Sequence, residues 1–199
     1  MGRSNRAARA PREYELVVDD LAHDGRGVGR VEGKAVFVSG ALPGERVRAR
    51  QTARNRNFEE AETLEVLQAS PLRIAPRCAH FGTCAGCVLQ HLDQDAQIAA
   101  KQRVLLENLS RIGHVQPGRV LEPLTDAAWG YRRKGRLSVC YVEKKGRTVL
   151  GFREASNPRY VAELSECHTL LPELGRRLPE LTALAAATVP STGAPLRSF

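Results

Sequence analysis

Three cysteines packed into one short stretch, Cys78-Ala-His-Phe-Gly-Thr-Cys84-Ala-Gly-Cys87, constrain this chain more than any other feature. Their spacing is C-x5-C-x2-C, and Cys167, in Glu-Cys-His, offers a fourth thiol far downstream. Thiolates held that close repel one another unless a cation or a cluster sits between them. Gly82 and Gly86 let the backbone wrap such a centre and aim amides at its sulfurs. The fold must bring a tight loop and a remote segment to one point.

A disulfide framework fits poorly. The cysteine count is five, which is odd, and the arginine-rich N-terminus carries no apolar signal-peptide core. A structural zinc site is the closer rival, because zinc accepts four cysteines. Zinc sites usually show two C-x2-4-C knuckles, and only one is present here. Three ligands on one loop plus a remote fourth suit a cuboidal iron–sulfur cluster better. The radical S-adenosylmethionine signature, C-x3-C-x2-C, has a shorter first gap and leaves one iron open, so a closed, non-radical cluster is the better match. His80, His91 and His168 flank the site as further candidate ligands. A histidine beside a metal loop more often supports the ligands than joins them. Cys140, in Leu-Ser-Val-Cys-Tyr-Val, reads as a strand residue with a buried, inert thiol.

Charge narrows the partner. The chain has a formal charge of +8 over 199 residues, long enough for one large or two small domains. Its basic residues fall in runs: Arg3, Arg6, Arg9 and Arg12; Arg46, Arg48, Arg50, Arg54 and Arg56; Arg132, Arg133, Lys134 and Arg136; Lys144, Lys145 and Arg147. Recurring clusters of this kind suggest a surface that follows a phosphate backbone, so nucleic acid is the expected partner. Solubility alone is the plainer rival for such arginines, and nucleic-acid binding is the stronger reading of the two. Aromatic content is only 5%, which leaves few rings for base stacking. No run of about 18 apolar residues occurs, so no membrane span is expected. The cytoplasm is the expected compartment, and a monomer the expected state.

Residues 1–13 read as a disordered basic tail and 14–70 as a small β domain. Tyr14–Asp20 alternates; His23–Gly29 is a turn with glycine at 25, 27 and 29. Ala35–Val38, Val47–Gln51 and Ala61–Gln68 are strands, with Leu42-Pro43-Gly44 a turn between two of them. Five short strands with tight turns suggest an OB-type barrel. From 71 to 189 a second domain follows, and 190–199 reads as a linker-like tail. Asp93–Ile112 is a helix capped by Asp93 and stopped at Gly113, with Ile98, Leu105, Leu109 and Ile112 as a core-packing face. Val120–Leu124, Arg136–Val142, Thr148–Phe152 and Tyr160–Leu164 are strand-like, with a hairpin turn at Glu143–Gly146, giving an antiparallel sheet. A last helix runs from about Leu170 to Ala187, interrupted at Pro172 and Pro179. The class is β-rich α+β.

Several motifs stand in a fixed order: Asp24-Gly-Arg-Gly-Val-Gly-Arg30, Pro76-Arg77-Cys78 through Cys87, Gln90-His91, Trp129-Gly-Tyr-Arg-Arg133, Gly151-Phe-Arg153 and Glu166-Cys167. In this order, over nearly all of residues 14–175, the chain resembles the N-terminal part of the bacterial 23S ribosomal RNA uracil-5-methyltransferases that carry an iron–sulfur cluster. The cysteine loop followed by Trp-Gly-Tyr-Arg-Arg is the specific part. The resemblance implies an OB-like TRAM barrel that binds RNA, followed by a central domain, incomplete here, built on a [4Fe-4S] cluster. It implies Cys78, Cys84, Cys87 and Cys167 as the cluster ligands and 23S ribosomal RNA as the partner. Arg46, Arg48, Arg54, Arg56, Arg132, Arg133, Lys134 and Arg136 are the expected RNA contacts.

The methyl-transfer site has no counterpart in these residues. Carbon 5 of uracil becomes nucleophilic only after a cysteine thiolate adds to carbon 6. The resulting enolate takes a methyl group from S-adenosylmethionine, and a base then removes the proton. A Rossmann-like cofactor loop is needed, and the glycines at 25, 27 and 29 miss G-x-G-x-x-G because Arg30 stands where the last glycine belongs. The family's catalytic cysteine precedes Asn-Pro; Asn157-Pro158 follows Ser156 instead. No catalytic and no S-adenosylmethionine-binding residue is expected here, and residues 1–199 alone are expected to be inactive. The alternative is a stand-alone RNA-binding protein with a structural metal site.

Overall fold

The computed structural model describes residues 11–188. The basic arm at Arg3, Arg6 and Arg9 and the tail 190–199 lie outside them. The described residues divide into two compact units, 11–73 with 95–116 and 74–94 with 117–188.

The first unit is a closed five-stranded barrel. Its strands are β1 (Glu13–Leu21), β2 (Gly27–Val31), β3 (Lys34–Ser39), β4 (Arg46–Arg54) and β5 (Phe58–Gln68). They close in the order β1-β2-β3-β5-β4, with β3 and β5 parallel and the other pairs antiparallel. Period-two alternation fills the interior: Leu16, Val18, Val36, Val38, Val47, Ala49 and Ala61 are all buried there. The outer positions of β4 are the arginines, as alternation demands. The OB-like expectation holds. Its first boundary moves, because Arg12 already accepts a hydrogen bond from the Gln51 N–H and pairs with Glu32.

The glycine repeat is only partly a turn. Gly25, at φ 85°, makes the turn, whereas Gly27 and Gly29 lie inside β2. A Cβ on Gly29 would collide with the Val17 carbonyl oxygen, and one on Gly27 would stand 2.7 Å from Val18 Cγ1. These two glycines let strands approach at the barrel seam.

Helix α1 (Gln94–Arg111) forms close to its expected span but buries no residue. Leu105 is 58% and Ile112 75% exposed, so its apolar face is not core packing. Arg103 on α1 pairs with Asp20 of β1 within the same unit. The left-handed residue that follows the helix is His114, not Gly113.

The second unit contains a two-stranded sheet, β6 (Ser138–Val142) and β7 (Arg147–Gly151), joined by a 3-10 turn at Glu143–Lys145 with Gly146 left-handed. The larger antiparallel sheet is not formed. Residues 120–124 have no regular structure and are exposed, in keeping with Pro117 and Pro123, which lack the donors a strand needs. Residues 160–164 run beside the end of β7 through Ala162 N–H to Phe152 O at 2.8 Å and Leu164 N–H to Leu150 O at 3.2 Å. The last helix is two: α2 (Pro172–Gly175) and α3 (Leu178–Thr188), with each proline in a first turn, where its missing N–H costs nothing. Leu150, Ala162, Leu164, Leu170 and Leu178 form the small core. Among the described residues no helix is long and apolar enough to cross a membrane.

Candidate metal centre

The cysteine loop is built by short-range turns and held against the strip after β7. Phe81 N–H reaches Cys78 O, and Cys84 N–H reaches His80 O at 2.9 Å. Ala85 N–H donates to Arg153 O and Ala155 N–H to Thr83 O, so 83–85 and 153–155 pair antiparallel. Gln90, buried, accepts the Cys78 N–H at 3.1 Å. Cys167 is set from the other side. Its N–H donates to Gly175 O at 3.0 Å, and a Cβ on Gly175 would strike the Cys167 carbonyl.

These two pieces of chain converge. Cys78, Cys84, Cys87 and Cys167 line one cavity together with His80, His168, Phe152, Leu164 and Thr169. All four thiols are free and half-buried. Two sulfurs already hold polar contacts: Gly86 N–H to Cys84 Sγ at 3.3 Å, and Thr169 Oγ1 to Cys167 Sγ at 3.2 Å. Gly86 is tight as well as permissive, since an added Cβ would sit 3.3 Å from both Cys84 Sγ and Phe152. Burial pushes the Cys84 thiol up, the Gly86 N–H opposes it, and the other three thiols push further. Burial likewise raises Cys78, against a backbone hydrogen bond from His80. A bound cation reverses this balance and leaves the sulfurs as thiolates. Among the described residues no three Cys, His, Asp or Glu side chains stand close enough to hold a metal ion as they are. The arrangement is a cavity with thiol walls rather than a closed coordination sphere.

The histidines separate. His80 points its Nε2 at Ser165, 2.9 Å from Oγ and 3.1 Å from the N–H. His168 Nε2 lies 3.2 Å from Glu166 and edge-on to Trp129, whose ring also carries Arg77 at 5.4 Å. His91 is buried and stacks obliquely on Phe81. Cys140 is not among the cavity residues. It sits in β6 opposite Val149 and is half-buried, like the cavity thiols, rather than fully buried as expected. Sequence reasoning missed Ser165, Thr169 and Phe152, whose roles depend on a three-dimensional closure that no local pattern encodes.

The two expected RNA-contact runs differ in charge balance. On the barrel, Arg46 pairs with Glu15 at 2.6 Å, Arg48 with Glu65 at 2.7 Å, Arg50 with Glu13 and Glu62, and Arg54 with Glu59 at 3.4 Å. Each carboxylate comes from a neighbouring strand. Among the described residues Arg56, Arg133, Lys134 and Arg136 have no ion-pair partner, and all four are exposed. Arg132 is half-buried, its guanidinium 5.8 Å above the Phe152 ring centre.

Barrel and cavity define the class. Residues 11–64 match the family model described as the TRAM domain, and the first unit is an OB-like barrel of that type. Over 92% of its length the chain is 62% identical to the 23S rRNA (uracil(1939)-C(5))-methyltransferase RlmD of Stenotrophomonas maltophilia strain K279a, of which it covers 41%. It is 60% identical over 92% of its length to the RlmD of Xanthomonas campestris pv. campestris strain 8004, covering 42%. The resemblance read from the motifs is therefore a match to RlmD proteins, and the chain spans about two fifths of the length of these curated relatives. In fold it is similar to the Pyrococcus abyssi tRNA (uracil-54, C5)-methyltransferase in complex with S-adenosyl-L-homocysteine, with a TM-score of 0.51 at 24% identity, over 83% of this chain and 35% of that one.

Proposed function

We propose that this chain is the RNA-recognition and iron–sulfur portion of a 23S rRNA uracil-5-methyltransferase of the uracil-1939 type. The observation that carries the reading is the convergence of Cys78, Cys84, Cys87 and Cys167 on one cavity, with no fifth thiol among them. The donor set fits a [4Fe-4S] cluster: four thiols, plus an amide and a hydroxyl that contact two of the sulfurs. Such a cluster, when bound, supplies strong thiolate ligation that ties the loop to Cys167; methyl transfer from a sulfonium moves no net electrons and asks no redox step of it. The chain's own residues do the rest. Gln90 and the 83–85 ladder fix the loop, Gly175 fixes Cys167, and the exposed cations meet phosphates. The nucleophilic thiol and the S-adenosylmethionine loop belong to sequence other than residues 1–199, and in the cytoplasm the partner is 23S ribosomal RNA.

The test is composition. Protein purified without oxygen is expected to be brown and to hold about four irons and four sulfides, the content of a four-cysteine cuboidal cluster. Cys140→Ser is expected to leave that content unchanged. Stoichiometric zinc with no visible absorbance would overturn the cluster and favour the stand-alone, zinc-stapled RNA binder.

A further inference from the structure

One exposed aromatic stands in the basic run of the second unit. Tyr131 is 52% exposed and lies between Gly130 and Arg132 in Trp129-Gly-Tyr-Arg-Arg133. Its backbone is not a free loop. Gly130 N–H donates to His168 O at 2.9 Å, Arg132 N–H donates to Thr169 O at 2.9 Å, and Arg132 O accepts from Leu171 N–H at 3.3 Å. Residues 130–132 thus form a parallel rung on the strip that immediately follows Cys167. Gly130 takes φ +69°, a left-handed turn that reverses the chain just before the tyrosine.

The side chains then divide between two environments. Trp129 turns onto Arg77 and His168, and Arg132 onto Phe152, both partly buried. Tyr131, Arg133, Lys134 and Arg136 are left exposed. The cations here are uncompensated, whereas the arginines of β4 are paired. A pre-ordered ring flanked by free cations is what a splayed-out base requires: the ring offers its face, and the cations take the flanking phosphates.

We propose that Tyr131 is a base-stacking residue for an unpaired nucleotide of the bound RNA, presented by the rung that residues 130–132 form on the strip after Cys167. The inference rests on the RNA-binding reading above and adds to it which residue meets a base rather than a phosphate. It assigns the Tyr131 ring, and not its hydroxyl, as the contacting group.

The experiment uses the intact, metal-loaded protein, a labelled single-stranded oligouridylate and a duplex RNA of equal length, with affinity measured across a salt series. Tyr131→Ala is expected to weaken single-strand binding by about 5- to 100-fold, the range for one base stacked on one ring. Its salt slope is expected to stay at the wild-type value, because no phosphate contact is lost. Tyr131→Phe is expected to bind within about twofold of wild type, since the ring remains. Iron content and the emission of Trp129, the single tryptophan, report that the rung is intact in each variant. If Tyr131→Ala binds as wild type, or Tyr131→Phe loses as much as Tyr131→Ala, this inference falls while the RNA-binding reading stands. If the wild-type protein binds neither RNA, the RNA-binding reading falls and takes the inference with it.

Discussion

Glu45 is fully buried and charged, and at first sight it should destabilise the barrel. Its carboxylate accepts from Leu42 N–H at 2.8 Å and Ser70 N–H at 3.2 Å, and receives a two-point clasp from Arg73 at 2.5 and 2.7 Å. Burial alone would raise the Glu45 carboxyl; Arg73 and the two amides overcome it and hold it below the ordinary carboxylate range. A depressed folded pKa gives stability that is fully present above the unfolded value, about 4.3, and is lost as pH falls through the lower folded value. Acid unfolding of the barrel is therefore expected to begin below about pH 4, and Glu45→Gln should flatten that part of the stability-versus-pH curve. Arg73→Ala strands a buried charge. It is expected to cost about 3 kcal/mol in denaturant melts, the low end for breaking a buried pair because Arg73 is 23% exposed. An Arg73→Ala barrel that melts like wild type would show the clasp to be decorative. Neither residue carries a sequence signal. Glu45 follows a Pro-Gly turn and Arg73 sits in a linker, and only the folded path joins residues 28 apart.

At the scale of elements, the barrel was legible because its signal is local. Val47 and Ala49 alternate with Arg46, Arg48 and Arg50, the period-two signature of a strand with one face inward. The second unit was less legible because its pattern is weak. Val120–Leu124 has the composition of a strand but has no partner strand, and prolines on either side of Leu121 deny it one. Helix α1 has the periodicity of a buried face yet buries nothing. Apolar spacing announces a helix, not what covers it. The cysteine cavity was legible as four residues and not as a shape. The segments that close it, 83–85 on 153–155 and 130–132 on 168–171, are held by backbone bonds that any residues can make. This gives the cysteines a mechanical task. The main apolar cluster of this unit is small, and Cys87 and Cys167 lie about eighty residues apart, so closing the loop costs chain entropy that the proposed metal ligation would offset. Cys167→Ser is expected to expose 74–94 and 117–171 to limited proteolysis while the barrel, 11–73, survives intact. If both regions resist protease as in wild type, the ligation contributes nothing to folding.

At the scale of the whole molecule, net charge misleads unless it is divided by pairing. The barrel run and the 132–136 run look alike in sequence. On the barrel, each of Arg46, Arg48, Arg50 and Arg54 already has a carboxylate from an adjacent strand, so a phosphate must displace that partner. Such exposed pairs hold by only about 0–1 kcal/mol each, so displacement is possible, but the gain from each phosphate is reduced by the same amount. Arg133 and Lys134 have nothing to give up. On the proposed RNA-binding reading, affinity for RNA should therefore depend steeply on salt, and unequally on the two runs. Each lost phosphate contact lowers the slope of log affinity against log salt by about 0.7 for a single strand. Arg133→Ala with Lys134→Ala is expected to reduce that slope by about 1.4. Arg46→Ala with Arg48→Ala is expected to reduce it by less, and to free Glu15 and Glu65 as repulsive charges. The check is a salt titration of RNA affinity for the two double variants side by side. Equal loss of slope would mean that the barrel pairs open without cost on binding, and an unchanged slope in the Arg133/Lys134 variant would remove the second unit from the RNA surface altogether.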